Sequence, residues 1–448
     1  MFNRIYLESP AFIQNLALTL YGYKMYQDRF EGEITPIYST LSHPLLPPTE
    51  KDFDHQQRRL QSLLKHCVNY VPHYQKLLKG RDWQSITCKN IHQSLPILTK
   101  SDILKDPESF LSTAPEFRNK IKLNTSGSSG TPLNIYSSYE ARRINYHFYQ
   151  QILTSQGVNY KSKSTTFAGR VLYKDNSRSL DRYDYYNSTQ YLSTYFISPN
   201  TINRYIDSLN KWQPCFIDAY PSALLEIRQL AKDQGLTIRF KPKFIITSSE
   251  TLAPSSRKKI EDFFCTKVID HYGCTEMTVS AVSIGEKYFI SPLYSLIELE
   301  RKYENSYSLI TTGLLNFAMP LIRYEIGDTI STDNPSMPYV FDSVEGRIDD
   351  VIITPEGRRI GRIDPAFKGI EGVELAQIVQ HKIDKIDVKI VLDNSKKHLF
   401  NEEALIENIK SRTSQAMLVS ISYHKQIEKS RNGKFKSVIN TIQSSNLG

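Results

Sequence analysis

Between Leu123 and Leu133 the chain reads LNTSGSSGTPL, with three Ser, two Thr and two Gly in eleven residues. A loop of this kind offers hydroxyls and closely approachable backbone N–H groups, because glycine has no Cβ and takes positive φ without strain. That is a chemistry able to wrap phosphate oxygens. The same composition also makes a plain surface turn. No G-x-x-x-x-G-K-[ST] and no G-x-G-x-x-G occurs, so neither a Walker A loop nor a dinucleotide fingerprint is present. A second group, Tyr272-Gly273-Cys274-Thr275-Glu276, sets an aromatic ring ahead of two oxygen-bearing side chains. It suits a base against the ring and oxygen ligands directed at phosphate and Mg²⁺, and an ordinary strand exit with a buried tyrosine accounts for it equally. Arg323 and Asp328 in RYEIGD place a cation and a carboxylate five residues apart, either a ribose-hydroxyl acceptor with its cation or a surface salt bridge. Arg347 and Asp349 in EGRIDD read as hinge residues or as a solvated charge cluster. Lys434 in EKSRNGKFKS is a cation on a Gly-led turn within a basic stretch.

The elements that must position these residues follow from periodicity. Residues 1 to about 115 read mostly as helix, with the apolar spacing of QSLLKHCVNYVPHYQKLL from Gln61 and a start signal in LTKSDILKDP, where Ser101 is placed to cap ahead of Asp102. KFIITSSE is a short apolar strand, APSSRKKIEDFF an amphipathic helix with Pro254 near its start, and TKVIDHYGCTE opens with a second strand. Such a βαβ unit is parallel and right-handed, so Ser248-Ser249-Glu250 and the segment from His271 to Glu276 emerge at one carboxyl edge, where open α/β sheets bind ligands. SYSLITTGL is a further strand, and Thr354-Pro355-Glu356-Gly357 has the chemistry of a type I turn joining two strands. The last hundred residues alternate strand (KIDVKIVLD), helix (EEALIENIKSR) and strand (LVSISYHK), enough for a small α+β domain starting near Gly346.

At 448 residues the chain exceeds one compact core, and 40% hydrophobic with 23% charged residues is an ordinary globular composition. A net charge of +9 permits a polyanionic partner, but its Lys and Arg are scattered rather than gathered into a stripe, so no nucleic-acid partner is implied. Five cysteines without C-x-x-C spacing fit a reducing, cytoplasmic setting and carry no zinc signature. The apolar run AFIQNLALTLYGY, residues 11–23, is too short to span a bilayer and reads as a buried or interfacial helix.

Taken in order, TSGSSGTP, ITSSETLAPSSRKKIEDFF, VIDHYGCTEM, LIRYEIGD, GRIDDVI and a C-terminal Gly-Lys resemble the adenylate-forming superfamily of acyl-CoA synthetases, luciferases and nonribosomal adenylation domains. Within it they look most like the phenylacetate:coenzyme A ligase branch, which includes capsular-polysaccharide biosynthesis members. The resemblance spans about Pro96 to Lys436. It implies an α/β fold, with a large N-terminal multi-sheet domain and a small mobile α+β C-terminal domain. The expected parts are a helical segment at 1–115, a nucleotide- and acyl-binding core at 116–346 and a C-terminal lid at 347–448.

The resemblance also implies roles. Thr125, Ser126, Gly127, Ser128, Ser129, Gly130 and Thr131 would hold the β- and γ-phosphates of ATP. Ser248, Ser249 and Glu250 would border the adenine, with Tyr272 stacked on it and Gly273 beside it. Thr275 would touch the α-phosphate, Glu276 would hold Mg²⁺, Asp328 would take the ribose hydroxyls and Arg347 would assist. Asp349 would be the interdomain pivot and Lys434 the catalytic cation, with Lys436 the alternative because it falls on the same face of a strand. Pro132 is followed by Leu133-Asn134, where many superfamily members carry a Lys, and this leaves fewer phosphate cations. The segments Ala168-Gly169-Arg170 and DAYPSALLEI from Asp218 are candidate acyl-pocket walls. The implied activity adenylates a small carboxylic acid and passes the acyl group to coenzyme A or to another thiol, amine or hydroxyl, on a carrier protein or a saccharide. The alternatives are a polysaccharide-tailoring ligase forming an amide or ester through acyl-AMP, and a non-catalytic nucleotide-binding protein on the same fold. A homodimer is compatible with the resemblance.

Overall fold

The computed structural model describes residues 2–39, 47–124, 133–174, 177, 179–250, 252, 254–301, 305–344, 352–360, 363–392, 396–425, 427 and 438–442. Helices dominate the first hundred residues: α1 (Phe2–Glu8), α2 (Ala11–Phe30), α3 (Pro36–Ser39), α4 (Glu50–Tyr70), α5 (Pro72–Leu77), α6 (Ile91–Ser94) and α7 (Lys100–Lys105). Pro72 divides the apolar run from Gln61 into α4 and α5, since proline tolerates the first helical turn but not an interior one. The cap of α7 differs from the expected Ser101. Thr99 is the N-cap and Asp102 stands at N3, so the two side chains form a reciprocal capping box.

A hairpin, β1 (Ile121–Asn124) with β2 (Asn134–Ser137), leads into α8 (Tyr139–Ser155). The chain then builds β3 (Ser164–Ala168), β4 (Asp181–Asp184), β5 (Thr189–Ser193), α9 (Ile202–Trp212), β6 (Phe216–Ala219), α10 (Pro221–Asp233), β7 (Phe244–Ser248), α11 (Pro254–Phe264), β8 (Lys267–Gly273), β9 (Ser280–Ile284) and β10 (Lys287–Ile290). Next come β11 (Ser295–Arg301), β12 (Ser306–Gly313), β13 (Tyr324–Ser331), β14 (Val340–Phe341) and β15 (Ser343–Val344). The large sheet has the order β14-β10-β9-β8-β7-β6-β3-β5-β4, and β5, β3, β6, β7 and β8 run parallel within it. Its parallel strands are covered on both faces, as the near-continuous apolar runs of β6 and β7 require. On one face α9, α10 and α11 bury Leu209, Ile227 and Ile260 with Ile217 and Ile245. On the other, Ile152 and Leu153 of α8 meet Phe216, Phe244 and Ile269.

The β11-β12-β13-β15 sheet is antiparallel and packs on the N-terminal helices, with Leu60, Leu64 and Ile103 against Leu309, Tyr324 and Ile330. The C-terminal region opens with the hairpin β16 (Ile352–Ile353) and β17 (Arg359–Ile360), whose turn closes by Gly357 N–H donating to Thr354 O at 2.8 Å, as the Pro and Gly positions predict. It continues through β18 (Val373–Lys382), β19 (Lys385–Leu392), α12 (Glu402–Arg412), β20 (Leu418–Tyr423) and β21 (Val438–Asn440), in sheet order β20-β19-β18-β21. The long β18 has no counterpart in the sequence reading. Tyr195 of the large domain shares a buried cluster with Ile352, Ile360 and Ile363, and the Arg358 guanidinium lies 5.8 Å from the Phe196 ring centroid. Because Tyr195 also donates to Gly169 O (3.1 Å), immediately after β3, the small domain docks beside the carboxyl edge of the large sheet.

Candidate active site

β7 and β8 are parallel and in register, pairing Thr247 with Asp270 and Ser248 with His271, so the two predicted exit segments do leave one sheet edge side by side. Each exit carries a non-glycine residue in the left-handed region, Ser249 (φ 71°) after β7 and Met277 (φ 55°) after Glu276. Such conformations persist only where surrounding structure imposes them, and they concentrate at ligand-binding turns. Glu250 turns back onto α10, where its carboxylate accepts from Ser222 N (3.0 Å) and Ser222 Oγ (2.9 Å). It thereby satisfies a first-turn amide and places a negative charge at the positive helix end.

From the second sheet, β13 supplies Asp328. Against β12 its pairing jumps from Ile310↔Glu325 to Ser308↔Thr329, so three residues of β13, Ile326 to Asp328, face Leu309 alone. A bulge of this kind re-aims side chains, and Gly327 provides the positive φ of 86° that it needs. Asp328 is thereby brought to Tyr272, whose hydroxyl donates to Asp328 Oδ2 at 2.8 Å. From the same strand the Tyr324 hydroxyl donates to Glu276 Oε1 at 3.4 Å. Tyr272 near the end of β8 and Glu276 just beyond it therefore meet two residues of a different sheet, Asp328 and Tyr324 of β13. Thr275 is half-buried beside them, and Gly273 ends β8 exposed. A Cβ on Gly273 would meet only ordinary contacts, the nearest at 3.5 Å from Val279 O.

Behind this edge lies a group of titratable residues on the α8 face of the sheet. Tyr149 donates to Asp218 Oδ2 (3.2 Å), its ring lies edge-on to His271 at 6.2 Å, and His271 Nε2 is 3.0 Å from Ser280 Oγ. Burial raises the Asp218 carboxyl to about 6, against the smaller opposing effect of the Tyr149 hydrogen bond. Burial lowers His271 to about 4, so it is neutral near pH 7. Burial also lifts the Cys274 thiol to about 12, which removes it as a nucleophile. DAYPS signalled Asp218, whereas nothing in the helical run of α8 singled out Tyr149.

Arg323 is the cation that the structure takes out of the site. It is buried, and its guanidinium contacts the Glu298 carboxylate at 2.9 to 3.1 Å and the carbonyls of His92 and Leu95. It ties the N-terminal helices to the β11-β13 sheet. The phosphate-loop residues Thr125, Ser126, Gly127, Ser128, Ser129, Gly130 and Thr131, with Pro132, lie outside the described residues, as do Arg347, Asp349, Lys434 and Lys436.

Among the described residues no group of three or more His, Cys, Asp or Glu is placed to hold a metal ion. Glu276 offers a single carboxylate at the cleft wall. That donor count fits Mg²⁺ carried in on a nucleotide, which takes one or two protein carboxylates and completes its shell with phosphate and water.

A large sheet with a parallel centre, a second sheet supplying an Asp from a bulge beside its strand exits, and a small α+β domain docked at the edge make up the adenylate-forming fold. A solved 2-hydroxyisobutyryl-CoA ligase, in complex with 2-HIB-AMP and CoA, superposes with a TM-score of 0.53 over 88% of this chain and 90% of that one at 17% identity. The same ligase in its postadenylation state gives a TM-score of 0.50 over 89% and 95% at 16% identity. Residues 352–441 match the CapK C-terminal domain family, and protein CapK of Staphylococcus aureus is 26% identical over 99% of this chain and 100% of its own length. The chain thus has the adenylate-forming fold, and its small domain is similar to the CapK C-terminal domain.

Proposed function

We propose that this protein is an ATP-dependent, AMP-forming ligase that activates a small carboxylic acid as acyl-AMP and transfers the acyl group to a thiol, amine or hydroxyl acceptor. The observation that carries the reading is the Tyr272–Asp328 hydrogen bond, which joins two motifs 56 residues apart at the carboxyl edge of the sheet. In the first step a substrate carboxylate oxygen attacks the α-phosphorus of ATP, the bond to the β-phosphate bridge breaks, and pyrophosphate leaves. In the second the acceptor attacks the acyl carbon and AMP departs. The attacking carboxylate and the triphosphate are both anionic, so the transition state requires positive charge and directed donors.

On this reading Thr125 to Thr131 hold the outer phosphates, and Ser248, Ser249 and Glu250 border the adenine against the Tyr272 ring. Thr275 meets the α-phosphate, Asp328 takes the ribose hydroxyls with help from Arg347, and Lys434 delivers the cation from a lid that pivots at Asp349. Mg²⁺, held in part by Glu276, would offset phosphate charge. The lid would exclude water from a readily hydrolysed acyl-AMP, then reorganise for the acceptor. Coenzyme A or an amine or hydroxyl on a carrier protein or saccharide would serve as acceptor, and the similarity to CapK along the whole chain supports the capsule-associated branch within this reading.

Exchange of labelled pyrophosphate into ATP, screened over a carboxylate library with the full-length protein, tests the activation step. An acid-dependent signal that Lys434→Ala abolishes supports it, and a folded protein inactive with every acid argues against it. Product formation with coenzyme A alone selects a thioester-forming enzyme, and adenylation without thioester selects the glycan or carrier acceptor.

A further inference from the structure

We infer that α2 is a membrane-docking element that holds this protein on anionic lipid surfaces, with the helix lying in the interface rather than crossing it. In a water-soluble domain a surface helix turns its apolar stripe inward and its polar side chains out; the first three turns of α2 do the reverse, while its last turns pack Tyr26 and Phe30 on Tyr160. Its inner face carries Gln14, Asn15, Thr19 and Gly22 at helical spacing. Asn15 Oδ1 accepts from Tyr183 N (3.0 Å) and Thr19 Oγ1 from Tyr185 N (3.1 Å). Buried Gln14 accepts from Arg182, and a Cβ on Gly22 would collide with the Asp184 carboxylate. These polar groups cover the outermost strand of the large sheet, β4, whose unpaired amides would otherwise be open. The far end of the helix is clamped by Arg29, which lies 4.2 Å from the Tyr146 ring centroid and donates to Tyr160.

The polar face being occupied by β4, the apolar face points outward. Phe12 (71% exposed), Leu16 (58%) and Leu20 (62%) form one line along the helix, flanked by Ile13 and Tyr23, with Tyr185 (63%) beyond. Their extent argues against a second copy as the occupant. A 20-residue helix is about 30 Å long and about 10 Å wide, so the stripe offers roughly 300 Å², against about 800 Å² per partner in a stable protein interface. A lipid surface has no such threshold, and exposed tyrosines beside an apolar stripe suit the headgroup boundary. Along the stripe itself, residues 12–24, there is exposed Lys24 and no acidic residue, Glu8 and Asp28 lying beyond its ends, on a chain of net charge +9, which anionic lipid attracts. Among the described residues no helix is long and apolar enough to cross a bilayer. The inference is independent of which acid the active site takes.

The test is co-sedimentation of the full-length protein with vesicles of equimolar phosphatidylglycerol and phosphatidylcholine, and with phosphatidylcholine alone. Binding to the anionic vesicles that weakens with salt is expected, together with a loss of at least about tenfold in partitioning for the triple variant F12Q/L16Q/L20Q. Its melting temperature should hold, because the altered side chains face outward. A Leu16→Trp variant should show a blue shift in emission on adding anionic vesicles, after subtraction of the wild-type signal. Absence of wild-type binding overturns the inference, as does undiminished binding by the folded triple variant. A concentration-dependent dimer in sedimentation equilibrium that the triple variant dissolves also overturns it, in favour of self-association.

Discussion

The Tyr272 hydroxyl donates to Asp328 Oδ2 at 2.8 Å, across the junction of two separate sheets. This contact orients the Asp328 carboxylate and fixes the Tyr272 ring at the cleft wall. Tyr272→Phe keeps the ring and removes the donor, and it should cost about 1 kcal/mol in urea unfolding. If Asp328 accepts the ribose hydroxyls, Asp328→Asn should raise the KM for ATP in pyrophosphate exchange about tenfold. An unchanged KM in a folded Asp328→Asn protein removes Asp328 from the nucleotide site.

Asp218 and His271 make opposing contributions to stability with pH. Asp218, raised to about 6, keeps its proton in the folded state after the unfolded chain has lost it near 4, so its contribution falls as pH rises from about 4 to about 6. His271, lowered to about 4, is neutral in the folded state while the unfolded chain still holds a proton below about 6.5, so its contribution grows over nearly the same window. Wild-type stability should therefore change little between pH 4.5 and 6 on account of this pair. Asp218→Asn should leave a rise with pH, and His271→Gln a fall, each on the order of 2 kcal/mol in denaturant titrations. Parallel profiles for the two variants would contradict the assignment.

Arg323→Ala leaves the half-buried Glu298 carboxylate without its cation and the His92 and Leu95 carbonyls without their donor, which should destabilise the protein by about 3 kcal/mol. At a temperature where the variant remains folded, its KM for ATP should equal the wild-type value. A stable variant with impaired ATP use would return Arg323 to the active site.

Glu250 and Ser222 form a helix cap that is also one side of the predicted adenine border. Ser222→Ala should cost up to about 1 kcal/mol by thermal unfolding. Its combination with Glu250→Gln should be less than additive, with a coupling of about 0.5 kcal/mol or more. Strict additivity would mean that the two side chains act separately.

Much of the scaffold was readable in the linear chain. The unit of β7, α11 and β8 was legible because its apolar alternation, its helical stripe and Pro254 are local signals, and a right-handed crossover leaves one parallel arrangement. The turn at Thr354 to Gly357 and the strands and helix at 385–423 followed for the same reason. β18 escaped because its register is set by β19 and β21, not by its own residues. The cap of α7 moved from Ser101 to Thr99 because pairing with Asp102 depends on a helix start that periodicity places only within a few residues.

The sequence alone determined which residue types with phosphate, base and ribose chemistry are present, and that Ser248 and His271 leave neighbouring strands, because these depend on spacing within one supersecondary unit. Only the tertiary structure decided which charges are at the cleft. Arg323 and Asp328 lie five residues apart on one stretch, yet left-handed backbone at Arg323 and the bulge at Gly327 send the cation to Glu298 and the carboxylate to Tyr272. The physical reason is that the direction of a side chain at a bulge is set by pairing with distant strands, a free energy shared among residues that no local pattern brings together.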